Sequence, residues 1–183
     1  MNTNILLDVA KKWNSLGCYT IAYKVDREHG RLKLHRNSLP ITQNILNEEE
    51  KIPIFYNFLA LDLKKSSLVC IDIDNNPYSL SEFYKILGKN SRKISDFFYE
   101  TSINGGIHIY FRKKNNGIER NIYEGRKNHI IFDVIYTGSV FVYPSEAEGD
   151  KYERGEISIF TINTINEIEF MPHFLERFIK NRH

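Results

Sequence analysis

The sequence predicts an α+β fold in which helices pack on a mixed or antiparallel sheet. Short apolar runs rich in β-branched and aromatic residues, such as 68–73 and 107–112, have the composition of buried strands. Other stretches, near both ends of the chain, repeat apolar residues at helical spacing. Because strands and helices do not alternate strictly along the chain, the pattern favours α+β over a regular α/β fold.

The bulk composition indicates a folded protein without an overall excess of charge. The 183 residues fit one domain or one bilobal unit, and 42% hydrophobic residues can build a substantial core. The formal net charge is +2, so any affinity for nucleic acid must come from local patches. Cys18 and Cys70 lie in apolar surroundings, which indicates a reducing compartment and no disulfide framework or zinc site. No membrane span or signal peptide is apparent, so we expect a cytoplasmic location, or a nuclear or viral replication site for a eukaryotic or viral source.

The first part of the chain predicts a helix, a strand and a second helix. A helical face lies between residues 5 and 16 and ends at Gly17. Residues 18–23 then predict a strand, residues 24–36 are polar and basic, and residues 41–56 predict a helix. The apolar face of the first helix consists of Ile5, Leu6, Val9, Ala10, Trp13 and Leu16.

The rest of the chain predicts further strands and three more helices. Ser79 or Ser81 is expected to cap a helix that Gly88 closes, and a short helix follows at 94–98. A last helix begins at Pro172. Between these helices lie turns at 101–106 and 115–117 and strands at 68–74, 107–112, 130–135 and 139–143.

Two aspartates at the end of the 68–74 strand are the most informative feature of the sequence. Side chains alternate along a strand, so Asp72 and Asp74 share one face, with their Cα atoms roughly 6.6–7 Å apart. Ionised carboxylates are costly to bury together unless cations lie beside them. The pair therefore indicates either a metal site or a strand that runs out into the polar turn Asn75-Asn76.

A histidine and a third acid lie on later strands. In Asn104-Gly105-Gly106-Ile107-His108, the two glycines allow close approach to a ligand and expose amides that suit phosphate. The simpler interpretation of His108 is a buried core histidine, and the simpler interpretation of Asp133 is a carboxylate in an ion pair. Three acids on apolar strands nevertheless need counter-cations.

Two basic segments flank the acidic strands. Each could be a solvated face, but together they suit a polyanion lying across a metal site. Acids, histidine and basic flanks in combination indicate nucleotidyl transfer by two metals. The basic residues are Lys24, Arg27, Arg31, Lys33 and Arg36 in the first segment and Arg112, Lys113, Lys114, Arg120, Arg126 and Lys127 in the second.

The order of these motifs resembles the primase-polymerase domain of the archaeo-eukaryotic primase superfamily, over about residues 5–145. The resemblance implies one bilobal domain over 1–183, the N-terminal part of a longer replication protein, with an RRM-like catalytic core and an N-terminal α/β part. Ile135 stands where the family often has a basic residue. Gly138-Ser139 likewise stands where the family usually has a glycine pair. The matching motifs are Asp72-Ile-Asp74, Ser102 to Phe111 with Gly105-Gly106-Ile-His108, Phe132-Asp133-Val134 with Gly138, and Val140 to Ser145.

The resemblance also implies an activity, cofactors and partners. The activity is template-directed synthesis from nucleoside triphosphates on single-stranded DNA, with a fused or separate replicative helicase as a further partner. Mg²⁺ or Mn²⁺ would be held by Asp72, Asp74 and Asp133, and His108 would contact the triphosphate. The remaining expected contacts are Ser102, Gly105, Gly106 and Lys33 for the nucleotide and Lys24, Arg31, Arg36, Lys113, Lys114, Arg126 and Lys127 for nucleic acid.

Two other functions are consistent with parts of the sequence. A rolling-circle endonuclease uses a small α+β sheet, but it needs two histidines where His108-Ile-Tyr110 offers one. A non-catalytic single-strand-binding module would use Tyr110, Phe111 and Tyr136 to stack bases, and would leave the three acids unexplained.

Overall fold

The computed structural model of the chain describes residues 3–29, 31–42, 55–114, 121–122 and 132–180. Helices α1, α2 and α3 span Thr3–Ser15, Pro77–Lys89 and His173–Lys180. The strands are β1 Thr20–Glu28, β2 Arg31–Ile41, β3 Phe58–Asp62, β4 Leu68–Ile73, β5 Phe98–Thr101, β6 Ile107–Arg112, β7 Asp133–Ile135, β8 Ser139–Val142, β9 Glu146–Ala147, β10 Asp150–Lys151 and β11 Glu153–Arg154.

Most strands form two antiparallel sheets. The first has the order β2-β1-β3-β8, the second has the order β11-β5-β6-β4-β7, and β9 and β10 form a separate pair. Every ladder between these strands is antiparallel, and helices pack on the second sheet, so the α+β prediction is confirmed. None of the described helices is long and apolar enough to cross a membrane.

Strand β4 separates two hydrophobic cores. Val69, Ile71 and Ile73 pack toward α2 and α3 in one core, together with alternate residues of β6. Leu68 and Cys70, on the opposite face, join α1 and the first sheet in the other core. The two faces predicted from alternation along 68–74 are therefore confirmed, and the Asp72 side belongs to the space between the two sheets.

The N-terminal helix forms where it was predicted, although Ile5 of the predicted apolar face is 40% exposed. Leu6, Val9, Ala10 and Trp13 are fully buried on one face, and Gly17, with a φ of +80°, follows the end of α1. The ring of Trp13 contacts Phe98 and Tyr110 of the second sheet. A full apolar stripe of this kind needs a covering partner, and both sheets supply it.

Three local predictions were wrong because side chains or distant strands decided the outcome. Helix α2 is capped by Asn76, whose side chain accepts a 2.8 Å bond from the Ser79 amide, and it continues past Gly88 to Lys89. The basic segment forms most of the β1–β2 hairpin, and Ile41 ends β2 rather than beginning a helix. Near residue 94 a single 3-10 turn covers Ile94–Asp96, and Phe98 already starts β5. Residues 43–54, 115–117 and 130–131 of the predicted elements lie outside the described residues.

Candidate active site

Five polar residues form one row across the second sheet. Strand register pairs Arg154 with Glu100, Glu100 with His108, His108 with Asp72, and Asp72 with Asp133. Directly opposed residues of antiparallel strands point to the same face, so the row crosses all five strands on the side of the first sheet. Glu100 and His108 are 0% and 6% exposed, whereas the Asp72 side chain is 33% exposed and Arg154 is exposed at the other end of the row. Solvent therefore reaches the acidic end and the Arg154 end, and the buried part of the row lies between them at Glu100 and His108.

The structure brings two of the three predicted metal ligands side by side. Opposed Cα atoms of antiparallel strands lie about 4.5–5.5 Å apart, so Asp72 and Asp133 are neighbours on adjacent strands. Asp74 follows the end of β4 and is exposed. Among the residues that the structure describes, no group of three or more His, Cys, Asp or Glu side chains is arranged to hold a metal ion. The convergence of all three acids on a cation stays a prediction, although paired oxygen donors suit Mg²⁺ or Mn²⁺.

His108 links the acidic pair to the first sheet. Its Nε2 atom lies 3.3 Å from Asp72 Oδ1, and its Nδ1 atom lies 3.2 Å from the carbonyl oxygen of Phe141. The Phe141 carbonyl and the Asp72 carboxylate both accept, so a hydrogen on either ring nitrogen has an acceptor beside it. The ring is thus a satisfied buried histidine and a neighbour of the acidic pair at the same time.

The Gly-Gly turn packs against the end of β4. A Cβ atom on Gly106 would lie 2.7 Å from the carbonyl oxygen of Ile73, and Gly105 has a φ of +79°. The Asn75 side chain donates a 2.7 Å bond to the Asn104 carbonyl, which ties the turn to the chain beside Asp74. The amide of Gly105 bonds the Ser102 carbonyl at 2.8 Å, so this amide already has a partner inside the turn. The glycines are explained first by close packing, and the turn lies beside the exposed end of the row.

Glu100 is a site residue that the sequence analysis missed. It is fully buried, and burial raises the pKa of its carboxyl from 4.5 to about 8. Its Oε2 atom accepts bonds from the Tyr143 amide (3.2 Å) and the Tyr110 hydroxyl (3.4 Å), whereas Oε1 has no hydrogen-bond partner among the described residues. The available signal was an acid two positions after Phe98 in an apolar strand that leads into the Gly-Gly turn.

Tyr152 is a second residue that the motifs did not indicate. It lies between β10 and β11, its ring centroid is 5.7 Å from that of His108, and 5% of the residue is exposed. Burial raises the pKa of its hydroxyl, and the nearby carboxylates of Asp72 and Glu100 raise it further. Tyr152 therefore covers the buried half of the row.

The first basic segment forms the outer face of the β1–β2 hairpin. Lys33 makes a 2.7 Å ion pair with Glu28, and Lys24 lies 3.9 Å from Asp26. Residue Arg31 is exposed at the start of β2, and Arg36 belongs to the same strand. Inner-face residues of the hairpin, including Leu32, pack with Ile103 of the Gly-Gly turn and with Tyr152, so the hairpin lies alongside the row. Arg31 and Lys33 lie on the face opposite Leu32, whereas Arg27 shares the face of Leu32 and pairs with Asp150 at 2.8 Å.

The second basic segment begins at the other end of β6 from His108. Lys114 bonds Glu176 at 2.7 Å, and the Lys113 ammonium bonds the backbone carbonyls of Leu63 and Ser66. Both lysines line a cavity of about 250 Å³ on the helix-covered face of the sheet, together with Val69, Ile122, Met171 and Ile179. Lys113 lies five strand positions after His108, so the Cα atoms of the two residues are about 17 Å apart. Arg126 and Lys127 lie outside the described residues.

The aromatic residues proposed for base stacking occupy the core instead. Tyr110 and Phe111 are fully buried, and Tyr136 is half-buried. Burial also raises the pKa of the Tyr110 hydroxyl well above its ordinary value, so it is a poor nucleophile. Neither stacking by Tyr110 and Phe111 nor attack by Tyr110 fits this arrangement.

Known proteins do not add a family assignment. Comparison with protein-family models gives no match for this chain, and no curated protein matches it at a significant level. The function is therefore argued from the row of polar residues and from the order of the motifs.

Proposed function

We propose that this chain is a template-directed nucleotidyltransferase, a primase-polymerase domain that joins nucleoside triphosphates on a single-stranded DNA template. The observation that carries the proposal is the register of Asp72, which lies between Asp133 on one side and His108 on the other. Two carboxylates and an imidazole on one face, open to solvent at the acidic end, suit a divalent cation beside a phosphate. The resemblance of the motif order supports the same activity.

The donor chemistry of the site fits Mg²⁺ or Mn²⁺ held by Asp72, Asp133 and Asp74. Such cations would supply the charge stabilisation that nucleotidyl transfer needs at the attacking oxygen and at the leaving pyrophosphate. Asp72 and Asp133 contribute oxygen donors from adjacent strands, where the sheet fixes their backbone separation. Asp74 contributes a donor at the exposed mouth.

The remaining residues bind and orient the substrates in this proposal. His108, whose Nδ1 lies against the Phe141 carbonyl, would donate a hydrogen bond from Nε2–H to a phosphate oxygen of the incoming nucleotide. The Gly105-Gly106 turn with Ser102 borders the triphosphate. Template contacts remain assigned to the two basic segments, and a replicative helicase, fused or separate, would provide the single strand. The second sheet, with α2 and α3 on one face, is the part that we assign to an RRM-like core.

Nucleotide incorporation on a primed single-stranded template tests the proposal. The wild-type protein should extend the primer with Mg²⁺ or Mn²⁺, and Asp72→Asn and Asp133→Asn should each reduce the rate by at least about 100-fold, because each removes a charged metal ligand. Asp8→Asn is the matched control, since Asp8 is an exposed acid on α1 and its replacement removes the same charge. Full activity in Asp74→Ala would remove Asp74 from the proposed metal ligands.

Other outcomes would replace the proposal. If the wild-type protein incorporates no nucleotide with either metal and either type of sugar, the polymerase assignment is wrong. Cleavage of single-stranded DNA with a covalent tyrosine adduct would identify a rolling-circle endonuclease. A protein that binds single strands but incorporates no nucleotide, and whose binding is changed neither by metal nor by Asp72→Asn, would be a binding module.

A further inference from the structure

The second sheet has a cavity on its helix-covered face, opposite the polar row. Its volume is about 250 Å³, and its apolar wall is part of the core between the sheet and α3. Protein interiors contain few voids larger than a water molecule, and an apolar cavity of about 150 Å³ is enough to take up benzene. The space is therefore large enough for two fused aromatic rings or a short alkyl chain. The apolar wall consists of Val69 on β4, Ile122, Met171, and Ile179 on α3.

The described wall of this cavity carries more positive than negative charge. Glu176 is the one acid among the described lining residues, and Lys114 already pairs with it at 2.7 Å. Arg112 bonds a backbone carbonyl and the side-chain oxygen of Asn166, both of which are uncharged. Opposite charges attract more strongly beside an apolar wall than in water, so this wall favours an occupant with a negative group over a cation. The cations of the described wall are Arg112, Lys113, Lys114 and Lys180.

Two polar side chains of the wall can meet an acidic group of the occupant. Lys180 is the last residue of α3 and is exposed, whereas Ile179 before it is 8% exposed, so these two residues mark the solvent side of the cavity. Tyr136 is half-buried. Burial raises the pKa of its hydroxyl, and the Glu176 carboxylate raises it further, so the hydroxyl stays protonated and can donate. The cavity thus combines an apolar interior with an ammonium and a hydroxyl donor, which is the composition of a small-molecule site.

We infer that this cavity binds a small amphipathic anion. Its aromatic rings or short alkyl chain lie against Val69, Met171 and Ile179. Its carboxylate lies toward Lys180 and Tyr136 at the solvent side. None of the residues proposed to hold the metal or the nucleotide belongs to the described wall, so this binding is independent of nucleotidyl transfer. The wall shares lysines with the proposed template contacts, which makes nucleic acid the competing occupant.

Ligands that share one ring system but differ in charge test the site on the wild-type protein. Isothermal titration calorimetry compares naphthoate, naphthamide and naphthylmethylammonium, with octanoate as an anion that carries an alkyl chain. Naphthoate should bind at least about tenfold more tightly than naphthamide, and the ammonium compound should bind most weakly, because cations predominate on the described wall. Equal affinities of the three ring compounds would refute the preference for an anion, and no binding of either anion would refute the site.

Two variants with matched controls locate the bound anion. Ile179→Trp fills part of the cavity and should abolish naphthoate binding, whereas Ile86→Trp places the same side chain on α2, outside the described wall, and should leave the affinity unchanged. Lys180→Glu should weaken naphthoate binding at least about tenfold and keep naphthamide binding within about twofold, because it reverses one charge at the solvent side. Lys89→Glu makes the same charge change at the exposed end of α2 and should leave both affinities unchanged.

The remaining outcomes are decisive. If Ile179→Trp does not fold, the comparison of Lys180→Glu with Lys89→Glu still decides, since both lysines are exposed. Naphthoate binding that survives both Ile179→Trp and Lys180→Glu would place the anion elsewhere and overturn the inference. Binding of oligothymidylate that depends on Lys180, with no difference between naphthoate and naphthamide, would assign the wall to nucleic acid and would also overturn it.

Discussion

Replacing Glu100 by Gln should change how the stability of the protein depends on pH. The carboxyl is fully buried, and within the described part of the chain its Oε1 atom has no hydrogen-bond partner and no cation is among the groups that set its pKa. Burial therefore favours the neutral form and raises the pKa from 4.5 to about 8. Gln has nearly the same shape and is neutral at every pH, so it removes the titration and keeps the packing.

The sign and size of the effect follow from this pKa. Between 4.5 and about 8 the folded protein holds a proton on Glu100 that the unfolded chain has released, so the free energy of unfolding falls as pH rises. The contribution is fully present below the unfolded pKa and is lost as pH passes through the folded value. At about 1.4 kcal/mol per pH unit, the wild-type protein should lose about 4 kcal/mol relative to Glu100→Gln between pH 5 and pH 8.

Urea unfolding at several pH values measures this difference. Trp13 is the single tryptophan of the chain and is fully buried against Phe98, so its fluorescence reports the loss of the main core. All other ionisable groups are the same in the two proteins, so the comparison isolates the contribution of Glu100. The wild-type curve should fall below the variant curve as pH rises from 5 to 8. Parallel curves would show that Glu100 is not a protonated buried acid, and the reasoning would be wrong.

Three further predictions concern the rest of the site. Gly106→Ala should destabilise the protein by about 1–3 kcal/mol in urea unfolding, because the new Cβ would lie 2.7 Å from the Ile73 carbonyl oxygen. Gly88→Ala is the control: its Cβ would meet no described tertiary neighbour within 4 Å, and it should stabilise α2 by about 0.5–1 kcal/mol. Equal effects of the two substitutions would refute the close packing at Gly106. In metal-free buffer, Asp133→Asn should raise the thermal midpoint by relieving repulsion with Asp72. In the wild-type protein, Mn²⁺ at 100 times its Kd should stabilise the fold by about 2.7 kcal/mol, and Asp133→Asn should abolish this stabilisation. An unchanged response to Mn²⁺ would count against the metal assignment. Charge reversal of Lys113 and Lys114 together should reduce the salt dependence of binding to single-stranded DNA. The slope of the logarithm of the binding constant against log salt should fall in magnitude by about 0.7 for each phosphate that these side chains neutralise in the wild-type protein. An unchanged slope would mean that the two lysines only make hydrogen bonds and ion pairs within the chain.

Part of the site could be predicted because it depends on local pattern. Alternation along 68–74 and 107–112 places Asp72 and His108 on faces opposite their apolar neighbours, and the structure confirms both strands. The cap of α2 was predicted three or five residues too late, because Ser79, Ser81 and Asn76 are all good capping residues in sequence and only the helix start distinguishes them. The hairpin formed by residues 20–41 was missed because its outer face is charged and its inner face packs against residues far along the chain.

The sequence by itself determined which residues are apolar, which acids interrupt apolar strands and which glycines can form a tight turn. Tertiary structure alone decided that Asp72 lies between His108 and Asp133, that Glu100 lies in the buried part of the same row, and that Tyr110 belongs to the core. The physical reason is that side-chain direction within a strand follows from its own period of two, whereas register between strands depends on pairing between segments far apart in sequence. Burial of Glu100 has the same origin, because the strand edge and the rings that cover it come from β8 and from the chain beyond it.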